Sequence, residues 1–234
     1  KTWQNNFKKL KFDINRFSKF KNKIIYQPVT DMPDGPNPWT REHYQRNCIT
    51  RGLTNASEND LIIISDIDEL PDPKKISEFN PKLKFAAFKQ KHFYYKFNML
   101  NKNDPFWMGS RICVKKYLKS PQWLRGLKFK KRPFWRIDKF RLNNIIEPGG
   151  WHFCNLKTPK DLLYKYQNMC ETKDDFVFKK KIDPKYLNEE EISKNIKAGK
   201  DIMGREDRYE KVNLDETFPM YILKNKDLFK DWIA

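Results

Sequence analysis

Asp60-Leu61-Ile62-Ile63-Ile64-Ser65-Asp66-Ile67-Asp68-Glu69 is the stretch on which the reading of this 234-residue chain turns. Its four consecutive aliphatics are too few for an ordinary helix and have the β-branched content of a strand. A strand without polar alternation is covered on both faces, as in the middle of a parallel or mixed α/β sheet. Ligands of such sheets bind outside the carboxyl ends of the strands. This strand ends in three carboxylates, Asp66, Asp68 and Glu69. Extended backbone projects Asp66 and Asp68, two residues apart, to the same side. Left unpaired they would repel, and a divalent cation resolves the conflict, with carboxylate oxygens suiting Mg²⁺ or Mn²⁺.

Upstream, Asn37-Pro38 opens a helix, with Asn as N-cap and Pro at the first helical position. That helix is expected to run to about Thr54 with Tyr44, Cys48 and Leu53 on one stripe. Before it, a short amphipathic helix is expected from Asp13 to Phe20, and a strand from Lys23 to Val29 by β-branched content. Downstream, Pro71-Asp72-Pro73 caps a helix through Phe79, and Phe85 to Phe97 reads as a long aromatic strand. Ser110 to Val114 and Ile145-Ile146 are further strands, with a loop between them. Helices follow over Thr158 to Cys170, Glu189 to Lys200 and Leu223 to Trp232. No internal repeat or low-complexity linker divides the chain, so residues 1–234 read as a single domain.

Composition narrows the function classes. Aromatics make up 15% of the residues and offset the shortage of small aliphatics, so the chain can build a sizeable core. The formal charge of +18 attracts phosphorylated ligands, nucleic acid or an anionic membrane surface. The basic residues are spread along the whole chain, and no RNP or OB pattern interleaves them with aromatics, so nucleic acid is not the expected partner. No apolar run reaches the length of a membrane span and no leader is visible, which favours a cytoplasmic location. Cys48 and Cys113 lie in apolar settings and read as core residues. Cys154 and Cys170 are left as a pair that one intervening helix could bring together.

Two chemistries use an acidic turn of this kind. A nucleotide-sugar transferase holds a metal against the donor diphosphate. A haloacid-dehalogenase-type phosphatase uses the first Asp as nucleophile. The phosphatase pattern wants Thr or Val soon after, and a later acidic pair on an apolar strand. Here Glu69-Leu70-Pro71 follows, and the late pair Asp174-Asp175 sits in a Lys-rich polar stretch. A basic nucleic-acid-binding module without catalysis is the third reading.

Glu42-His43-Tyr44-Gln45-Arg46-Asn47-Cys48-Ile49, Arg51-Gly52-Leu53 and the segment from Asp60 to Pro71 form one continuous block. With Gly149-Gly150-Trp151-His152-Phe153, the helix after Thr158-Pro159 and the tail from Phe218 to Asn225, it resembles glycosyltransferase family 17. That family contains the β-1,4-mannosyl-glycoprotein β-1,4-N-acetylglucosaminyltransferases. The resemblance spans roughly residues 20 to 230. It implies a GT-A-like, Rossmann-type central sheet flanked by helices, a UDP-GlcNAc donor, a glycan acceptor, a divalent metal and an inverting transfer. Family members have a strand and turn before the point where this chain begins, so the expected sheet lacks its first strand.

On that resemblance Asp68 is the direct metal ligand. Asp66 reaches the metal through water or meets the donor ribose, and His152 completes the metal site. Arg46 and Asn47 hold the acidic turn or the donor diphosphate. Glu69 contacts the donor or caps the next helix, with the cap favoured. Trp107 and Trp151 are candidates for stacking on sugar rings. The base that an inverting transfer needs is sought among Asp175, Glu147 and Asp104, with Asp175 preferred because Asp175-Phe176 follows the family pattern.

Overall fold

The structure is a computed structural model that describes residues 12–34, 37–128, 144–168 and 188–234. Its centre is a mixed sheet in which most pairings are antiparallel. The acidic segment supplies β1 (Leu61–Ile64) and, after a tight turn, β2 (Glu69–Pro71). The aromatic strand predicted from Phe85 is β3 (Phe85–Tyr94), and it is the spine. Along one edge it pairs antiparallel with β5 (Phe106–Val114) and then with β4 (Met99–Asn101). Along the other edge it pairs parallel with β6 (Ile145–Ile146) and β7 (Gly150–Cys154). β2 adds antiparallel to β7, and β8 (Tyr209–Lys211) adds antiparallel to β4.

The expectation that β1 lies in the middle of a parallel or mixed sheet holds for the mixed sheet and is corrected for the central position. Among the described residues β1 has one partner, β5, and runs antiparallel to it. Both of its faces are nonetheless packed, which is why its sequence does not alternate. Ile62 and Ile64 join Phe85, Ala87, Cys113 and Leu124 on one side. Ile63 reaches the cluster of Phe79, Phe88, Ile112 and Ile146 on the other. The sheet as a whole is an open, largely antiparallel one with helices against it, not a doubly wound parallel sheet.

The helix predicted from Asn37-Pro38 is α1 (Pro38–Asn47), and the Asn37 side chain accepts from the Trp39 amide at 2.9 Å. A 3₁₀ turn, Cys48–Gly52, carries it to the predicted end. Asp72 caps a short 3₁₀ segment, Pro73–Glu78. A second 3₁₀ segment, Ile14–Lys23, stands where the amphipathic helix was expected. The predicted strand from Lys23 to Val29 is absent: the backbone there is unpaired, with Ile25 64% exposed. β propensity records fit to a pleated neighbour, and this stretch has none among the described residues.

The expected loop between Val114 and Ile145 contains α2 (Pro121–Gly126), capped by Ser120 with Pro121 at its first position. Behind the sheet, α3 (Pro159–Asn168) and α4 (Glu189–Lys197) bring Leu162, Tyr166 and Ile192 against Tyr94, Tyr95 and Tyr209. The tail forms α5 (Met220–Lys224) and a 3₁₀ segment, Lys226–Trp232, and seats Phe218 and Ile222 on Phe93 and Phe153. No described helix is long and apolar enough to cross a membrane.

Gly149-Gly150 is where three backbones converge. The Gly149 amide donates to the Lys89 carbonyl at 2.7 Å, and the Gly149 carbonyl accepts from the Asp72 amide at 3.1 Å. Gly150 has φ +114°, and an added Cβ would overlap the Leu70 carbonyl oxygen and stand 2.6 Å from the Asp72 nitrogen. Gly150→Ala should therefore destabilise the chain by about 1–3 kcal/mol. Gly126→Ala, where an added Cβ meets nothing within 4 Å, should change stability by no more than about 1 kcal/mol. Urea unfolding of the two variants tests the contrast; equal midpoints would remove the role given to Gly150.

Candidate active site

The turn after β1 is closed by the Glu69 amide donating to the Asp66 carbonyl at 3.0 Å. Ile67 is thereby pushed fully into solvent. The turn also decides the fate of the three carboxylates. Glu69 points inward and its side chain is fully buried. One oxygen takes the Arg125 guanidinium and the Trp107 indole N–H, the latter at 2.9 Å. The other takes the Ser110 hydroxyl and the Asp66 amide, both at 3.3 Å. The favoured capping role for Glu69 is corrected: Asp72 caps the next helical turn, accepting from the Lys74 amide at 3.0 Å.

Asp66 sits between two arginines. One oxygen faces Arg46 at 3.4 Å and the other accepts from Arg125 at 2.8 Å. Arg46 also pairs with Glu42 at 3.0 Å and hydrogen-bonds Gln122. Glu42, Arg46, Asp66, Arg125 and Glu69 thus alternate in charge. Asn47 accepts from the Gln122 amide at 3.0 Å, holding the first turn of α2 against α1. Arg46 therefore grips the acidic turn, the first of the two tasks considered for it, whereas Asn47 holds α2. The expectation that Asp66 and Asp68 share one side is corrected, because the turn replaces extended backbone between them and sends each to different partners.

Asp68 goes to β7. Its carbonyl accepts from the Phe153 amide at 2.8 Å, which extends the β2–β7 ladder by one bond and holds the residue at the edge of β7 beside His152 and Cys154. Asp68 Oδ1 stands 3.5 Å from His152 Nε2. One donor atom from each of Asp68, His152 and Cys154 lies within 4.8 Å of the others. The 3.5 Å gap exceeds a normal N–H···O hydrogen bond. It matches the roughly 3.4 Å between two ligand atoms that each bond one tetrahedral metal at about 2.1 Å. His152 Nδ1 is buried without a partner among the described residues. That nitrogen is on the far side of the ring from Asp68, so the fit to a divalent cation rests on the donor types and the Asp68–His152 spacing.

The surroundings are polar and carry positive charge. Burial pushes the Asp68 carboxyl up, but contact with His152 and its charge outweigh that and hold it below its ordinary value, with Lys165 adding to the effect. Burial pushes the Cys154 thiol up to about 11, while Lys165, Arg205 and a hydrogen bond from Tyr94 pull the other way. Lys165 donates to Asn155 at 2.8 Å, and Arg205 pairs with buried Asp201 at 2.8 Å. His92 stacks on His152 with ring centroids 4.9 Å apart, and Trp107 leans on both rings. Burial and the neighbouring His152 lower the His92 imidazole to about 4.

The remaining candidates separate. Trp107 is 36% exposed beside the histidines, whereas Trp151 donates to the Thr217 carbonyl at 3.0 Å and packs on the Phe93 and Phe153 cluster. Glu147 is exposed and held by Lys89 at 2.6 Å. Lys89 lies three residues along β3 from His92, roughly 10 Å away. Asp104 touches the site through its backbone, its carbonyl meeting His92 Nδ1 at 3.2 Å. Asp175 and Cys170 lie outside the described residues, and Cys154 is a free thiol. Sequence reasoning missed Arg125, Cys154, Lys165 and Arg205. The Ser120-Pro121 helix start was the available signal for Arg125, since it announces the helix that carries it.

This constellation grows from the Y-Q-R-N, acidic-turn and G-G-W-H blocks, and the sequence model of glycosyltransferase family 17 matches residues 1–211. The chain belongs to glycosyltransferase family 17. The match ends before the tail block at Phe218–Asn225, and comparison with curated proteins and solved structures returns no match. Family 17 membership makes the chain a glycosyltransferase, acting on a nucleotide-sugar donor and a glycan acceptor, and decides against the phosphatase reading.

Two consequences can be measured. Arg125 is 12% exposed and is shared by Asp66 and Glu69, so Arg125→Ala strands a buried carboxylate and should cost about 3–5 kcal/mol. A loss below about 1 kcal/mol in chemical denaturation would remove Arg125 from that role. The second consequence is a pH dependence. His92 is lowered to about 4 from an ordinary 6.5, so between those values the unfolded chain binds the extra proton. The contribution of His92 is complete above about pH 6.5 and is lost as pH falls toward 4, on the order of 3 kcal/mol in all. His92→Phe should flatten the fall in urea midpoint between those pH values; an unchanged slope would contradict the assignment.

Proposed function

We propose that this family 17 enzyme is an inverting, metal-dependent N-acetylglucosaminyltransferase that moves GlcNAc from UDP-GlcNAc to a sugar hydroxyl of a glycan. The observation that carries the reading is the meeting of Asp68 and His152 at 3.5 Å, from segments far apart in the sequence. The family resemblance supports the donor and the inverting outcome. A GT-A-like framework is supported by an acidic turn at the carboxyl end of a strand and by helices packed on a mixed sheet. Asp68 and His152 would hold the cation, which when bound supplies charge neutralisation at the departing diphosphate.

The chain's own residues do the rest. Lys165 and Arg205 give the site a positive potential toward diphosphate oxygens before any cation arrives. Trp107 has its indole N–H tied to Glu69, which fixes the ring while leaving part of it open to a sugar face. Asp66, neutralised by two arginines, positions the turn so that Asp68 alone faces His152.

Calorimetric titration of UDP-GlcNAc with and without Mn²⁺ tests this reading. The unsubstituted chain should bind the donor more tightly with Mn²⁺. Asp68→Ala and His152→Ala should each lose at least about tenfold of that gain, the smaller effect expected of a residue supporting a metal site. Full metal-dependent binding in Asp68→Ala would sink the assignment.

A further inference from the structure

Cys154 stands two residues after His152 on β7, so strand alternation puts both side chains on one face. Asp68 is held at the edge of β7 by its backbone bond to Phe153, and its carboxylate lies within 4.8 Å of the donor atoms of both residues. Cys154 packs on the edge of the Tyr94, Leu162 and Tyr166 core cluster and differs from Cys113 in the polar groups that also meet it there. Cys113 is fully buried among Ile62, Ile64, Phe85 and Leu124, and burial alone acts on its thiol. Cys154 instead lies among Asp68, His152, the Tyr94 hydroxyl and the Lys165 ammonium. It is a free thiol, and its donor atom is within 4.8 Å of both other ligand atoms.

A carboxylate, an imidazole and a thiol make a donor set of mixed hardness. Mg²⁺ demands oxygen ligands in near-octahedral array and gains nothing from sulfur. Thiolate with imidazole suits zinc and its neighbours in the first transition row, and affinity rises from Mn²⁺ through Co²⁺. We infer that Cys154 is the third protein ligand of this centre, as a thiolate, and that the centre selects a thiophilic divalent cation of the Co²⁺ or Zn²⁺ class over Mg²⁺. On binding, the thiol proton leaves to solvent and the sulfur lone pair forms the bond to the metal, with no change of oxidation state. The inference rests on the metal reading of Asp68 and His152 given above and extends it.

Co²⁺ alone is the probe, titrated into the full chain and followed by absorption. The expected result is ligand-field bands together with a near-ultraviolet thiolate-to-cobalt charge-transfer band. Cys154→Ser should abolish the charge-transfer band, retain ligand-field bands and weaken Co²⁺ binding by at least about tenfold, while Cys113→Ser leaves the charge-transfer band in place. Competition by Mg²⁺ should be ineffective where Zn²⁺ displaces Co²⁺. Ligand-field bands without charge transfer, or a charge-transfer band that survives Cys154→Ser, would overturn the thiolate assignment while leaving the Asp68–His152 centre standing. No Co²⁺ spectrum at all, with folding verified by circular dichroism, would overturn both.

Discussion

A single buried carboxylate, that of Glu69, sets the terms for the rest of the molecule. An ionised group with no solvent access is tolerable only if nearly every lone pair is met. Meeting them brings α2, β5 and the acidic turn together around it. Arg125 must come from α2, Trp107 and Ser110 from β5, and the Asp66 amide from the turn itself. α2 can supply Arg125 only if it docks on α1, which Asn47 and Arg46 arrange through Gln122. β5 supplies Ser110 where its register shifts against β3 near Gly109, and a Cβ there would have to displace the Gln90 side chain. The glycine, the register shift and the capped short helix thus serve one electrostatic requirement.

That requirement explains why neighbouring acids in one turn behave so differently. Glu69 is consumed by the fold, and Asp66 is neutralised by Arg46 and Arg125, which also lock it in place. Asp68 pairs with no arginine among the described residues. Its backbone is pinned to β7, and its side chain is left with His152, partly exposed. A D-x-D pattern suggests two equivalent ligands, but the turn makes them unequal: one carboxylate positions and the other is available. The alternating chain from Glu42 to Glu69 keeps the positive charge of the arginines on the Asp66 side, away from the face where Asp68 and His152 meet.

How much of this was legible in the residues follows from the range of each interaction. The α1 start, the strand character of Leu61–Ile64 and Phe85–Tyr94, and the helix after Thr158 all rest on local signals, namely caps, β-branching and periodicity. The Asp68–His152 pairing was reached through the family resemblance, since nothing local joins the two. What could not be read was anything dictated by pairing. β1 reads as central because Ile63 is covered by Phe79 and Phe88, whereas its ladder has one neighbour among the described residues. Lys23 to Val29 has strand composition and no partner. Cys154 stays open to pairing with Cys170 on sequence alone, because the register that sets it beside His152 and Asp68 is a property of β2, β3 and β7 together.

The position of His92 completes the electrostatic design. Every ligand candidate in the centre is fixed by the sheet, two on a strand and one on a turn bonded to it, so their spacing is set by backbone more than by side-chain choice. Directly behind His152 lies a second imidazole in parallel stacking, and a charge on it would repel any cation approaching the first. Burial among Tyr94, Trp107 and His152 lowers His92 to about 4, so it remains neutral across the physiological range. Its Nδ1 is engaged by the Asp104 carbonyl. His92 thus gives His152 an aromatic floor without a competing charge. The cations whose charge reaches the site, Lys165 and Arg205, are tethered by Asn155 and Asp201.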